Sequence, residues 1–78
     1  MINLKSSITI QPHTALNETL SKEKNTFSAI EGSAILHLEG TSHPIMGEIT
    51  QTIMPNERYV LENARDEKCT LLKITKCT

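Results

Sequence analysis

The 78-residue sequence predicts an all-β domain. Apolar and polar residues alternate with a period of two in several short runs, which is the pattern of strands with one buried face. Turn-forming residues separate these runs at intervals of about ten residues, a spacing typical of a sandwich or a barrel. We therefore expect about seven or eight short strands and a single domain over residues 1–78, with no helix of more than about two turns.

The N-terminal segment has the clearest strand pattern, and Pro12 ends it because proline cannot donate to a strand ladder. The following segment, 13–25, is ambiguous. Leu16 and Leu20 are four residues apart, which fits either one helical turn or one face of a strand. The polar run 21–25 is typical of a turn or an exposed hairpin tip. The first strand would present one stripe of side chains: Ile2, Leu4, Ser6, Ile8 and Ile10.

The remainder of the chain carries six further strand patterns separated by glycine, proline and polar turns. In the second of these, Ala34, Leu36 and Leu38 share one face, and Ile35 and His37 share the other. We expect a turn at residues 40–42. The expected strands are 26–31, 33–39, 43–46, 48–54, 59–61 and 69–75.

Composition narrows the classes of function. The formal net charge is −1, and the chain has one Phe, one Tyr and no Trp. Neither the charge nor the aromatic content favours nucleic-acid binding. There is no apolar run of the length of a signal peptide core or a membrane span.

The two cysteines indicate the redox compartment. On one strand, Cys69 and Cys77 would lie about 26 Å apart, whereas a disulfide needs Cα atoms within about 7 Å. We expect two free thiols and a cytoplasmic protein.

From Phe27 onward the chain resembles the cupin family. The resemblance lies in the order of a strand ending in Glu-Gly, a turn glycine, a Gly-acidic pair, a proline, an asparagine and a polar turn before a closing apolar strand. It implies a compact cupin-like double-stranded β-helix, that is, a jelly-roll barrel. The matching positions are Glu31-Gly32, Gly40, Gly47-Glu48, Pro55, Asn63 and Asp66-Glu67.

The sequence departs from the family at the metal ligands. The first cupin motif supplies two histidines and a glutamate before the Glu-Gly strand, but the matching stretch 20–25 has no histidine and its acid, Glu23, is not well placed. The second motif supplies a histidine between the proline and the asparagine, where Tyr59 is the nearest candidate. The resemblance therefore implies a barrel with no metal site and no cofactor, so the family's metal-dependent chemistry does not carry over. His13, His37 and His43 have no spacing typical of a metal site.

Four residues are candidates for ligand binding: His37, Glu48, Arg58 and Tyr59. His37 is either a solvated strand residue or, together with Ile35, part of the barrel lining, with Leu36 outside. The cupin resemblance places the other three near one end of the barrel, as a polar mouth or as ordinary surface groups. Cys69 is either a nucleophile beside a histidine or a small core residue. Catalytic residues, if there are any, are not identified.

The function that fits best is a metal-free cupin-like binding or interaction module for a small polar ligand or a protein partner. One alternative is a small metal-independent enzyme, since some very short cupin-like proteins are nucleoside phosphorylases. Another is a protein inhibitor that acts through a β-edge. We also expect a homodimer, because a short chain hides only about 60% of its surface and the apolar first-strand stripe would lie at a sheet edge.

Overall fold

The computed structural model describes the backbone of residues 2–77 and the side chains of residues 3–76. Within that part of the chain there are nine strands and no helix. The all-β prediction is confirmed. The strands are β1 (Ile2–Ile10), β2 (Thr14–Ala15), β3 (Thr19–Leu20), β4 (Lys24–Glu31), β5 (Ser33–Leu38), β6 (Thr41–Met46), β7 (Gln51–Ile53), β8 (Arg58–Asn63) and β9 (Cys69–Cys77).

The strands form two antiparallel sheets. One has four strands in the order β1-β9-β4-β7, and the other has the order β2-β8-β5-β6, with β3 also pairing with β8. The inner faces of the two sheets supply one apolar core. Period-two alternation produces this arrangement: in β8, Tyr59, Leu61 and Asn63 are buried, while the residues between them are more exposed.

The core is filled by side chains from both sheets. Phe27 of β4 is wholly buried, and its ring centroid lies 5.6 Å from that of Tyr59 at an interplanar angle of 53°. Burying one such aromatic side chain stabilises the fold by about 1.5–3 kcal/mol. The buried apolar residues are Ile10, Phe27, Ala34, Leu36, Ile45, Ile53, Tyr59, Leu61, Cys69 and Leu71.

The ambiguous segment forms short strands and not a helical turn. Thr14 pairs with Asn63 and Thr19 pairs with Tyr59. Leu16 packs on the core, whereas Leu20 is exposed, so the two leucines do not share a face. Within the polar run 21–25, predicted as a turn or an exposed tip, the two end residues are buried and only Lys22 and Glu23 at its centre are exposed.

The turn between β5 and β6 is shorter than predicted. Glu39 and Gly40 form it alone, and Gly40 has a φ of 76°, a conformation that glycine adopts without steric cost. Strand β6 therefore begins at Thr41, and Ser42 pairs with His37 as a strand residue. The prediction of a turn through residue 42 is wrong by two positions.

The N-terminal stripe is divided between core and surface. Strand β1 is at the edge of its sheet, as expected. Ile10, however, is wholly buried and Ile8 packs against the core, whereas Leu4 remains 55% exposed. The side chain of Ile2 is outside the described residues. The prediction that the whole stripe faces a partner is therefore wrong at Ile8 and Ile10.

The cysteine at the start of β9 is free and buried. Cys69 lies opposite Ile10 in the β1–β9 register, on the core face. Cys77 ends the same strand, and its side chain lies outside the described residues. The described part of the chain contains no helix that could span a membrane.

Candidate functional site: the mouth of the barrel

A small pocket lies where β3, the start of β4, β8 and the end of β9 come together. We call it the mouth pocket, and its volume is about 200 Å³. Such a volume suits a ligand of a few heavy atoms and is below the usual range of drug-sized sites. Its lining residues are Thr19, Leu20, Ser21, Lys22, Glu23, Asn25, Tyr59, Lys73 and Thr75.

A hydrogen-bonded network holds one wall of the mouth pocket. Asn25 lies opposite Thr75 in the β4–β9 register, and the Thr75 hydroxyl donates to Asn25 Oδ1 at 2.6 Å. Asn25 Nδ2 donates to Ser21 Oγ at 2.8 Å and to the backbone oxygen of Glu23 at 3.3 Å. Ser21 Oγ donates to the same backbone oxygen at 2.6 Å. Because Ser21 and Asn25 are buried, these bonds fix the turn that leads into β4.

Tyr59 presents a hydroxyl group to the mouth pocket. The residue is only 6% exposed and lines the pocket. Burial raises the pKa of its phenol above the ordinary value of 10.0, so the group is protonated at neutral pH and can donate a hydrogen bond. Among the described residues, no group hydrogen-bonds this hydroxyl.

Lys73 supplies positive charge to the same pocket. Cys69 and Leu71 face the core, and strand alternation places Lys73 on the same face of β9, opposite Phe27. Lys73 is half-buried, and none of the ion pairs in the described part of the chain includes it. The pocket lining contains two lysines and one glutamate, so its charged side chains favour an anion although the whole chain has a net charge of −1.

The mouth pocket also unites the two stretches to which the cupin resemblance assigns metal ligands. Ser21, Glu23 and Asn25 come from the first stretch, and Tyr59 comes from the second. Glu23 supplies one carboxylate, but the hydroxyl, amide and phenol groups of the other three do not match the imidazole, thiolate and carboxylate ligands that transition metals take. Within the described residues, no group of three His, Cys, Asp or Glu side chains is placed to hold a metal ion. The residues present therefore do not fit a transition-metal site.

His37 faces away from the core. Leu36 is wholly buried, so the next residue of β5 must point outward, and the alternative in which His37 lines the barrel is wrong. On the outer face His37 Nδ1 lies 2.8 Å from Ser42 Oγ, and Nε2 lies 2.8 Å from Glu62 Oε1.

The other candidate residues do not converge on one site. Arg58 is exposed at the start of β8, and its Nη1 lies 3.8 Å from Glu18 Oε1. Glu48 is exposed in the turn after β6, near Ser33 at the start of β5. Arg58 lies beyond the C-terminal end of β5, on the opposite side of the sheet's length. Tyr59 is thus the one candidate of the four that lines the mouth pocket, and the grouping of all four into one mouth is corrected.

Sequence reasoning missed Ser21, Asn25, Lys73 and Thr75. A signal existed for the last two, because they continue the alternation that begins at Cys69 and Leu71. No local signal pointed to Ser21 and Asn25, since a polar run before a strand is ordinary turn sequence.

Cys69 is poorly suited to act as a nucleophile. Its side chain is wholly buried, and burial, with a further contribution from the Glu31 carboxylate, raises the pKa of the thiol above 9.0. Reactive cysteines have a lowered pKa and partial exposure. Cys69 acts as a small core residue.

Comparison with known proteins relates this architecture to solved structures. No protein-family model matches the chain, and no curated protein does. The Cupin 2 conserved barrel domain protein of Salinispora arenicola matches with a TM-score of 0.86 and 20% identity, over 97% of this chain and 64% of its own. The Cupin 2 domain of an XRE family transcriptional regulator from Enterobacter cloacae matches with a TM-score of 0.85 and 11% identity. The match covers 97% of this chain and 82% of the Enterobacter chain.

A third match is Drosophila melanogaster CENP-C, solved bound to CAL1. Its TM-score is 0.86 at 14% identity, over 92% of this chain and 63% of its own. The chain therefore spans less than two thirds of the length of the Salinispora and Drosophila chains. These identities relate the proteins by fold alone. The two antiparallel sheets and the shared core agree with the matches, and we conclude that this chain has the cupin fold, as the sequence resemblance implied.

Proposed function

We propose that the protein is a metal-free cupin-like module that binds a small anion, such as a carboxylate or a phosphate, in the mouth pocket. One observation carries the proposal: the Lys73 side chain and the Tyr59 hydroxyl line the same pocket, and neither has a partner among the described residues. A charged acceptor would satisfy both groups, and hydrogen bonds to charged groups are the stronger ones.

The test is a heteronuclear NMR titration of the wild-type protein. The ligands are inorganic phosphate, acetate, succinate and inosine, with glycerol as a neutral polar control. We expect the amides around Lys73, Thr75 and Asn25 to shift with the anions and not with glycerol. The absence of any shift at the pocket with 10 millimolar anion, or equal shifts with glycerol, would overturn the proposal.

Two variants locate the binding groups. Lys73→Met keeps most of the aliphatic stem and removes the charge, so anion affinity should fall about 10- to 100-fold, the equivalent of about 1.5–3 kcal/mol for a charged hydrogen bond. Lys5→Met is the matched control, because Lys5 is exposed on the opposite face of its sheet. Tyr59→Phe should weaken binding without lowering stability, since the Tyr59 hydroxyl has no hydrogen-bond partner among the described residues. Equal affinity in the Lys73→Met and Lys5→Met variants would contradict the assignment.

Inosine and phosphate together also test the enzymatic alternative. Release of hypoxanthine with both present would indicate a nucleoside phosphorylase. Binding of phosphate without phosphorolysis would leave the protein as a binding module.

A protein partner is the second candidate. It is favoured by exposed apolar side chains beside a surface groove of about 450 Å³ that Met46 lines. Met46 and Ile49 exchange two backbone hydrogen bonds across a turn, so both side chains are held at one end of the molecule. In a pull-down from a host lysate, a Met46→Lys, Ile49→Lys double variant should lose a partner that the wild-type protein captures. Equal capture by the two proteins would contradict the proposal that this surface binds the partner. In the described part of the chain no strand pairs with the outer edge of β6, and a partner that added a strand there would fit the β-edge inhibitor alternative.

We also propose a homodimer, with the N-terminal half of β1 at its centre. Leu4 is the large apolar side chain that this edge strand leaves exposed among its described residues. Light scattering at micromolar concentration should give about twice 8.7 kDa, and Leu4→Glu should give the monomer mass. A wild-type mass of 8.7 kDa would refute the dimer. Ile8→Glu does not serve as a test, because Ile8 packs against the core.

A further inference from the structure

The outer face of the five-stranded sheet carries a linked serine, histidine and carboxylate. Ser42 of β6 lies opposite His37 of β5, and its Oγ is 2.8 Å from His37 Nδ1. His37 Nε2 is 2.8 Å from Oε1 of Glu62, which stands on β8 at the other side of β5. Three neighbouring strands thus align the three side chains. They lie on the face of the sheet that points away from the core, whereas Tyr59, which lines the mouth pocket, points inward.

The hydrogen bonds define the tautomer of the histidine. An ionised Glu62 can only accept, so His37 Nε2 carries the proton and donates it to the carboxylate. His37 Nδ1 is then an acceptor, and the Ser42 hydroxyl donates to it. This order of hydroxyl, imidazole and carboxylate is the one that activates a serine nucleophile. The His37 and Glu62 side chains are 37% and 39% exposed, and Ser42 is exposed, so a small molecule in solvent can reach the hydroxyl.

A backbone donor lies next to the same hydroxyl. Leu38 and Thr41 close the two-residue turn, and in an antiparallel pair the hydrogen-bonded and non-hydrogen-bonded positions alternate. The next pair, His37 with Ser42, is therefore of the non-hydrogen-bonded kind, and the Ser42 N–H points away from β5. In the described part of the chain no strand pairs with that edge of β6. Pro44, which has no N–H, occupies the equivalent position two residues later. The Ser42 N–H is thus free to stabilise an oxyanion formed on a group bound to Ser42 Oγ.

We propose that Ser42 is a base-activated nucleophile that accepts an acyl group from small activated esters. Ser42 Oγ attacks the ester carbonyl carbon, and its proton passes to His37 Nδ1. The bond to the leaving alcohol breaks, and the alcohol departs with that proton. Water then attacks the acyl-Ser42 ester with the same nitrogen as base, which releases the carboxylic acid and restores the serine. Ile35 and Val60, on the same outer face as His37, offer an apolar surface for a short acyl chain.

The test uses an alkyl fluorophosphonate probe on the intact protein, followed by peptide mass mapping. Ser42 Oγ would attack phosphorus and fluoride would leave, so the expected result is one adduct per chain, on Ser42. His37→Gln should slow the labelling about 100-fold or more, the usual contribution of a general base. Glu62 acts through His37 as a positioning residue. Glu62→Gln should therefore lower the maximal labelling rate and leave the half-saturating probe concentration unchanged, and Glu62→Asp should restore part of the rate.

The chain contains its own control. Thr41 Oγ1 lies 3.0 Å from His43 Nε2, but among the described residues no carboxylate hydrogen-bonds His43. Thr41 should stay unlabelled. The absence of an adduct on Ser42 in the folded wild-type protein would overturn the proposal, as would equal labelling in folded His37→Gln. Since this face does not include the mouth pocket, anion binding in the NMR titration can succeed or fail independently of the labelling.

Discussion

Replacing Asn63 by alanine should strongly destabilise the fold. Asn63 is wholly buried at the end of β8. Its Nδ2 donates to the backbone oxygens of Ile10 at 3.1 Å and of Glu67 at 2.7 Å, and its Oδ1 accepts from the Arg65 N–H at 3.0 Å. One side chain therefore joins the end of β1 to the turn that precedes β9.

The size of the effect follows from these three bonds. Each contributes about 1 kcal/mol net, and the truncation leaves the backbone partners without that bond, so the loss is about 3 kcal/mol. A domain of this length has a total stability of about 4–12 kcal/mol. The melting temperature should accordingly fall by about 15 °C.

Urea unfolding monitored by circular dichroism measures the change. Asn17→Ala is the matched control, because Asn17 is exposed and its side chain makes no hydrogen bond among the described residues; it should change the unfolding free energy by less than about 0.5 kcal/mol. Asn63→Asp keeps the acceptor for the Arg65 N–H but loses both donated bonds, and it should also be strongly destabilised. A loss below about 1 kcal/mol for Asn63→Ala, with an unchanged denaturant slope, would refute the argument.

Three further predictions concern the core and the turns. Burial raises the pKa of Cys69 above 9.0 and that of Tyr59 above 10.0. As pH rises, the unfolded chain therefore loses these two protons before the folded protein does. The stability that the two buried groups contribute is fully present below about pH 9 and should fall as pH rises towards their raised pKa values. A free energy of unfolding that stays constant between pH 8 and 10.5 would contradict this. The buried Cys69 thiol should react with Ellman's reagent far more slowly in the folded than in the urea-unfolded protein, and equal rates would place it at the surface. Gly32→Ala should cost more stability than Gly40→Ala by chemical denaturation. Both glycines have a positive φ, a conformation that costs an alanine about 1–2 kcal/mol at either position. At Gly32 the new Cβ would also lie 2.9 Å from the backbone oxygen of Lys68, whereas at Gly40 it would meet no atom within 4 Å. Equal losses of stability in the two variants would contradict this contact.

The sequence alone determined the class of fold and most of the strand faces. Alternation with a period of two is local, so it identifies which residues share a face without any knowledge of the neighbouring strands. It placed Leu36 opposite His37, and Leu71 opposite Leu72, as the structure does. The resemblance to the cupin family, which the order of the turn residues carries, implied the cupin fold.

The tertiary structure alone decided which segments meet. Asn25 and Thr75 are 50 residues apart, and only the pairing of β4 with β9 makes them hydrogen-bond partners. Likewise, Ser42 reaches His37 because the turn closes at Gly40, a difference of two residues from the expected boundary. Local patterns state the direction of a side chain within its own strand. The register between strands is set by packing of the whole core, and the composition of both candidate sites depends on that register.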